Sequence, residues 1–204
     1  MSLKIGCIVE GHGEIESVPI LIRRIAQEIA PDLVVQLDRT VRVPKNKLIL
    51  KSELERTVEI VARGVGPRGG ILVLLDSDDG CPAAIGRELL GRARQTRPNL
   101  AIRVVLAKRE FEAWFLASAE SLRGRRGLAV DLVGPADPEA IRGAKEWLTA
   151  RMTEGRHYVE TLDQPALTAC FDLRQARRAA SFDKFFRDVS AVLADLASEP
   201  PSAS

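Results

Sequence analysis

Carboxylates stand at two points of the chain in spacings that suit metal-assisted chemistry. Glu10 and Glu14 flank Gly11-His12-Gly13; Asp76 and Asp78 fall in the run Asp76-Ser77-Asp78-Asp79-Gly80. Alternate residues in an extended turn can aim their carboxylates at one cation. Without a counter-charge such a cluster raises at least one pKa and destabilises its site. The chain has only two histidines, His12 and His157, and its three cysteines, Cys7, Cys81 and Cys170, lie far apart. Carboxylate oxygens must therefore supply most of any metal shell, which favours Mg²⁺ or Mn²⁺ over zinc. Asp and Gly are also common in solvated turns for conformational reasons. What points past a plain turn is the pairing of Asp76 to Gly80 with a second acidic turn at Glu10.

The elements around these turns explain how they could meet. Leu3 to Val9 is a short, apolar, β-branched run that ends at Glu10, and it reads as a buried strand followed by a turn. Ile15, Val18, Leu21, Ile22, Ile25 and Ile29 recur at helical spacing, with Pro19 tolerable near the first turn. A strand over Leu33 to Leu37 and a polar basic loop containing Pro44, Lys45 and Lys47 follow. Ser52 and Glu55 have the spacing of a capping box for a helix ending near Gly64. Gly70 to Leu75 is apolar without alternation, as in a parallel strand covered on both faces, and it runs into the Asp76 turn. A helix from Pro82 to Arg97 and a strand from Ala101 to Leu106 precede Glu110. Such alternation implies an α/β sheet with right-handed crossovers, whose ligands sit beyond the C-terminal strand ends. Past Leu122 the chain reads as mainly helical: an arginine-glycine loop, then a helix opened by Asp137-Pro138. Ser181 is the expected cap of a last helix buried through Phe182, Phe185, Phe186, Val189, Val192, Leu193 and Leu196.

Composition narrows the classes further. Thirty basic against 28 acidic side chains give a formal charge of +2 over 204 residues, so no strong global field draws the chain to nucleic acid. Arginine makes up most of the basic side chains, and Arg123, Arg125 and Arg126, or Arg174, Arg177 and Arg178, have the composition of a phosphate grip and equally of a solvated charge run. Phe111, Trp114 and Phe115 suit either base stacking or core packing. His12 suits a phosphate or metal contact and equally a plain loop, so it is left out of the core site. Gly64, Gly66 and Gly69 match the dinucleotide glycine pattern but precede a strand instead of following one. The acidic turn has its glycine at the fifth position, not the sixth that a calcium-binding helix-loop-helix needs. No phosphate-loop lysine motif or nucleophile elbow occurs. No apolar run approaches the roughly 20 residues of a membrane span, and the N-terminal segment lacks the apolar stretch of a signal peptide. The odd cysteine count fits a reducing compartment, so a cytoplasmic protein with no membrane partner is expected.

Glu10-Gly11 with Glu14, followed by Asp76-x-Asp78 after a hydrophobic strand, resembles the Toprim domain of topoisomerases, bacterial primases and overcoming-lysogenization-defect nucleases. The likeness extends to a small bacterial Toprim-like family catalogued as a domain of unknown function, through Arg109 to Ala117, Asp163 to Leu167 and Ser181 to Phe185, with Ser118 where an acidic residue is expected. This resemblance implies a Toprim-like, mostly parallel sheet flanked by helices: a core over residues 1–122, a helical C-terminal extension over 123–197 packed on it, and a disordered tail at 198–204. It implies Glu10 as general acid or base and Asp76 and Asp78 as ligands of Mg²⁺ or Mn²⁺, with Glu14, Asp79, Glu110 and Glu112 in the surrounding shell. The expected activity is a metal-dependent phosphodiesterase, a nuclease acting on DNA or RNA. The alternative is a non-catalytic or conditionally active subunit that binds nucleic acid or a partner ATPase. Strand passage is disfavoured because the one tyrosine, Tyr158, falls in the helical part. A small-molecule phosphatase of the haloacid-dehalogenase kind would carry its Asp-x-Asp after the first core strand, not the third.

Overall fold

The computed structural model describes residues 2–50 and 52–198. The chain runs β1 (Ser2–Val9), α1 (Glu14–Ile29), β2 (Val34–Leu37), β3 (Val41–Arg42), α2 (Lys45–Leu48), α3 (Glu53–Val65), β4 (Gly70–Asp76), α4 (Pro82–Thr96), β5 (Ala101–Ala107) and α5 (Ala113–Ala117). It continues through α6 (Ala144–Thr149), α7 (Glu160–Thr168), α8 (Leu173–Ala176) and α9 (Ala180–Ser198), with short 3₁₀ turns between α5 and α6. The expected class, a parallel sheet flanked by helices, is what the chain adopts. The order is β2-β1-β4-β5, with β3 pairing the C-terminal end of β1, and every strand pairing is parallel. The expected tail at 198–204 begins at the last residue of α9, and its remaining residues lie outside those described.

Period-two alternation sends each central strand into two apolar layers. Cys7, Val9, Leu72, Leu74 and Val105 join α1, α5 and α9 on one face. Ile8, Ile71, Val73, Leu75, Ile102 and Val104 join α3 and α4 on the other. With both faces covered, β4 needs no polar residue until Asp76, which explains its uninterrupted hydrophobicity. Gly6 is required where α3 crosses β1, because a Cβ there would stand 2.3 Å from Val61 Cγ1. The stripe read for α9 is buried throughout. Through Phe182 and Phe185 it meets Trp114, which packs on Phe111, and Phe111 on Phe115, all three fully buried and in tilted or edge-on ring contact, so these aromatics are core and not a stacking surface.

Several local expectations are corrected. The basic loop after β2 contains a two-residue strand, β3, and a one-turn helix, α2. The Ser52–Glu55 capping box forms only in half: Ser52 adopts φ 78° and its hydroxyl makes no cap hydrogen bond, while the Glu55 carboxylate accepts from the Ser52 backbone and also from Arg92 at 2.7 and 2.9 Å. Ser181 lies inside α9, where its hydroxyl accepts the Trp114 indole N–H at 2.9 Å. Asp137 opens only a short 3₁₀ turn, accepting from the backbone N–H groups of Glu139 and Ala140. Among the described residues, no helix is long and apolar enough to cross a membrane.

Candidate functional site

The parallel order fixes where the acidic turns fall. From β1 the chain moves to one side to form β2, then crosses to the other side to form β4, so the order reverses between β1 and β4. The C-terminal ends that flank such a reversal open a crevice. Val9 pairs with Leu74, which brings Glu10, the residue after β1, level with the C-terminal end of β4. Glu10 Oε2 accepts the Asp76 backbone N–H at 3.3 Å.

Glu14, at the start of α1, folds back under this junction. Its Oε2 accepts the N–H groups of Glu10 and Gly11 at 3.0 and 2.9 Å, which closes the turn and buries the side chain. Asp76 Oδ1 accepts the Phe111 N–H at 2.9 Å, tying the end of β4 to the start of α5. The fourth acid, Glu112, is fully buried. Its Oε1 accepts from the Tyr158 hydroxyl at 2.9 Å and Gln164 Nε2 at 3.1 Å, while Oε2 has no partner among the described residues.

The four acids hold one another's protons. Burial, then repulsion by Glu14, Glu112 and Glu10, raises Asp76 well above the usual carboxylate range. Burial, with Glu112 and Glu10 adding to it against the amide hydrogen bonds, brings Glu14 to about 7. Burial also raises Glu112, opposed chiefly by Lys145, and raises Glu10. Lys145 is the internal counter-ion: Nζ lies 2.9 Å from Glu160 and 4.0 Å from Glu112. Despite its partial burial, these carboxylates hold Lys145 protonated above its ordinary range.

A cavity of about 240 Å³ opens over the cluster, lined by Glu10, Glu14, Asp76, Arg42, Lys145 and Gln164 among others. Its far wall comes from the C-terminal helices. Glu160 accepts the Gly13 N–H at 3.0 Å, and a Cβ on Gly13 would stand 2.9 Å from the Glu160 carbonyl oxygen, so glycine there permits α7 to close on the turn.

The structure thus brings Glu10, Glu14, Asp76 and Glu112 together, and sets the other three candidates apart. Asp78, at φ 51°, turns outward to Lys45 at 2.6 Å. Asp79 is held by Arg109 and Arg142. Glu110 accepts from Gly143 and Ala144 at the start of α6. Sequence reasoning missed Lys145, Tyr158, Glu160 and Gln164, which reach the site only by tertiary folding of the extension. Tyr158 in particular does not lie away from the acids. Its hydroxyl donates to Glu112, and burial and that carboxylate raise its phenol pKa. His12 is exposed at the cavity rim.

By donor type these residues fit a hard cation: the oxygens are carboxylate and amide, their pKa values are raised, and two buried acceptors, Glu112 Oε2 and Gln164 Oε1, are unpartnered. Among the described residues, no group of three or more His, Cys, Asp or Glu side chains is arranged to hold a metal. No curated protein and no solved structure significantly matches the chain. A family model described as Domain of unknown function (DUF4276) matches residues 9–190, and the chain accordingly belongs to that family.

Proposed function

We propose that the chain is a Mg²⁺- or Mn²⁺-dependent phosphodiesterase of Toprim type that cleaves nucleic acid at the β1/β4 crevice. One observation carries the reading: four carboxylates from separate elements share a half-enclosed crevice at a strand-order reversal, with raised pKa values, set against Lys145 and, beside Glu10, Lys45. Carboxylates perturbed by burial and by one another within a cleft are found clustered at functional sites. The Toprim likeness rests on the acidic motifs and not on the family match, which carries no activity.

In this reading Asp76, with Glu14 and Glu112 behind it, holds the cation. When bound, it would neutralise charge developing on phosphate oxygens and help activate water. Glu10 lies half-buried at the mouth, where burial raises its pKa toward the working range of a general acid or base. Arg42, exposed at the end of β3 and lining the same cavity, is placed to take a substrate phosphate. Lys145 keeps the crevice from carrying the full charge of its acids.

The alternative, a conditionally active subunit that binds nucleic acid or a partner ATPase, draws support from the lack of a ready three-ligand arrangement among the described residues. The deciding experiment incubates the purified chain with single- and double-stranded DNA and RNA in Mg²⁺, Mn²⁺ or EDTA. Metal-dependent cleavage that Asp76→Asn abolishes supports the enzyme. Binding without cleavage under every condition supports the subunit.

A further inference from the structure

Next to the acidic crevice, across the turn that follows β4, two guanidinium groups converge on a single exposed carboxylate. Arg142 addresses Asp79 with both arms of its fork, Nη1 to Oδ2 at 3.0 Å and Nη2 to Oδ1 at 2.8 Å. Arg109 adds Nη1 to Oδ1 at 3.0 Å. The three line an open cavity of about 250 Å³ together with Asp78, Glu110 and Gly143. Both of those other acids are engaged, Asp78 with Lys45 and Glu110 with the amides that begin α6. Two guanidiniums face the one carboxylate of Asp79, and with Asp78 set against Lys45 and Glu110 held by neutral amides the charges of the lining and Lys45 balance.

The two arginines differ in how they are held. Arg109 is fixed: its backbone adopts φ 66°, its N–H donates to Ser77 Oγ at 2.9 Å, its carbonyl accepts from the Asp78 N–H at 3.1 Å, and Nε donates to the Glu139 carbonyl at 3.2 Å. Only the tip of its guanidinium remains for Asp79. Arg142 is 70% exposed, and Asp79 is 67% exposed. An ion pair so open to water contributes little stability, so the carboxylate can give way to a better-matched anion. A fork of two planar guanidiniums matches the oxygens of a phosphate.

We propose that Arg109 and Arg142 form a phosphate subsite for the nucleic-acid strand, with the Asp79 carboxylate as its internal occupant when no strand is bound. This rests on the phosphodiesterase reading and extends it, because Asp79 stands three residues beyond Asp76. Their Cα atoms are therefore at most roughly 11 Å apart, a span that a strand crosses in going from the crevice to a neighbouring phosphate. The subsite sets the path of the strand: from Arg42, over Glu10 and Asp76, to the arginine pair.

The test is fluorescence anisotropy of labelled single-stranded DNA and RNA oligonucleotides of about 12 nucleotides, titrated with the full chain across a salt series, with Ca²⁺ in place of Mg²⁺ to slow cleavage. Arg142→Ala is expected to weaken binding roughly fivefold or more and to flatten the plot of log K against log salt by about 0.7, the loss of one phosphate contact. Asp79→Asn, which removes the internal competitor, is expected to tighten binding roughly threefold or more. A purely structural ion pair predicts the opposite sign for Asp79→Asn, since its loss would loosen the turn. Thermal melts of both variants establish that they fold. A wild-type chain that binds while both variants bind equally well overturns the subsite alone. A wild-type chain that binds neither oligonucleotide overturns the phosphodiesterase reading and the subsite with it.

Discussion

Raising the pH of the metal-free protein strips protons that the fold holds on its acids, and the loss of stability can be worked from Glu14. This carboxyl is 2% exposed and titrates at about 7 when folded, against 4.5 as its ordinary value. A group whose folded pKa is raised contributes its full stability below the unfolded value and loses it as pH rises through the folded value. The window is therefore about 4.5 to about 7. A shift of this size is worth on the order of 3 kcal/mol, and Asp76, Glu112 and Glu10 are raised in the same direction. The acids with lowered pKa values, Glu55, Glu120, Glu160 and Asp183 among them, act in the opposite sense only as pH falls below the ordinary carboxylate range. They leave the window clear. For a chain of this length, about 3 kcal/mol corresponds to a fall in Tm of roughly 6 to 12 °C. The assay is a thermal melt in EDTA at about pH 5 and about pH 8. Glu14→Gln retains an acceptor for the Glu10 and Gly11 amides and should remove the Glu14 share of the fall, leaving what Asp76, Glu112 and Glu10 contribute. A wild-type Tm that is level or rises across this window, or a Glu14→Gln variant with the full wild-type slope, would refute the reasoning.

Three other outcomes follow from the same geometry. Mg²⁺ or Mn²⁺ should raise Tm more at about pH 8 than at about pH 5, the stabilisation being about 2.7 kcal/mol wherever the metal stands at a hundredfold excess over its Kd; Asp76→Asn should remove most of this effect, and an undiminished effect in that variant would move the metal elsewhere. Glu10→Gln should fold normally yet lose roughly 100-fold of any cleavage rate, measured by single-turnover assay on the best substrate found; a wild-type rate would end its assignment as acid or base. Tyr158→Phe removes a donor from fully buried Glu112 and should cost about 1 to 3 kcal/mol in denaturant melts, whereas a neutral result would mean that water or Lys145 replaces the phenol.

The parts of this fold that could be read from sequence are those in which periodicity and burial agree. β1, β4 and β5 announce themselves because each is buried on both faces, and α1 and α9 because their apolar stripes are long. The meeting of Glu10 with Asp76 was legible for a related reason: parallel strands put their C-terminal ends on one edge. β3 and α2 were not legible, since two to four residues carry no period. The Ser52–Glu55 motif kept its glutamate half and lost its serine half, because Ser52 takes a left-handed backbone conformation in which its hydroxyl makes no cap hydrogen bond. The outward turn of Asp78 depends on its positive φ and on Lys45, neither of which alternation reveals. Lys145, Glu160 and Gln164 enter the site from α6 and α7, and Tyr158 from the loop between them, none of them within the acidic motifs. The one sign of them in the sequence was the Asp163-Gln164-Pro165 segment within the broader resemblance.

The extension does more than complete a core, because α6 and α7 bring the cation and amide groups that make the acidic crevice tolerable. Without Lys145, Tyr158 and Gln164, Glu112 would be a fully buried acid with no donor on its side chain. A fold maintained for stability alone would replace Glu112 with an apolar residue, since an uncompensated buried acid is strongly destabilising. The chain instead devotes three side chains from a distant segment to one oxygen of Glu112 and leaves the other unpartnered. That unmatched acceptor, set behind Asp76 and Glu14, is the feature that packing does not account for. It makes Glu112→Gln the sharpest separation of structure from chemistry: the variant should be as stable as wild type or more so in EDTA, and should lose metal-induced stabilisation. A variant less stable than wild type at about pH 8 in EDTA would show that Glu112 is retained for the fold.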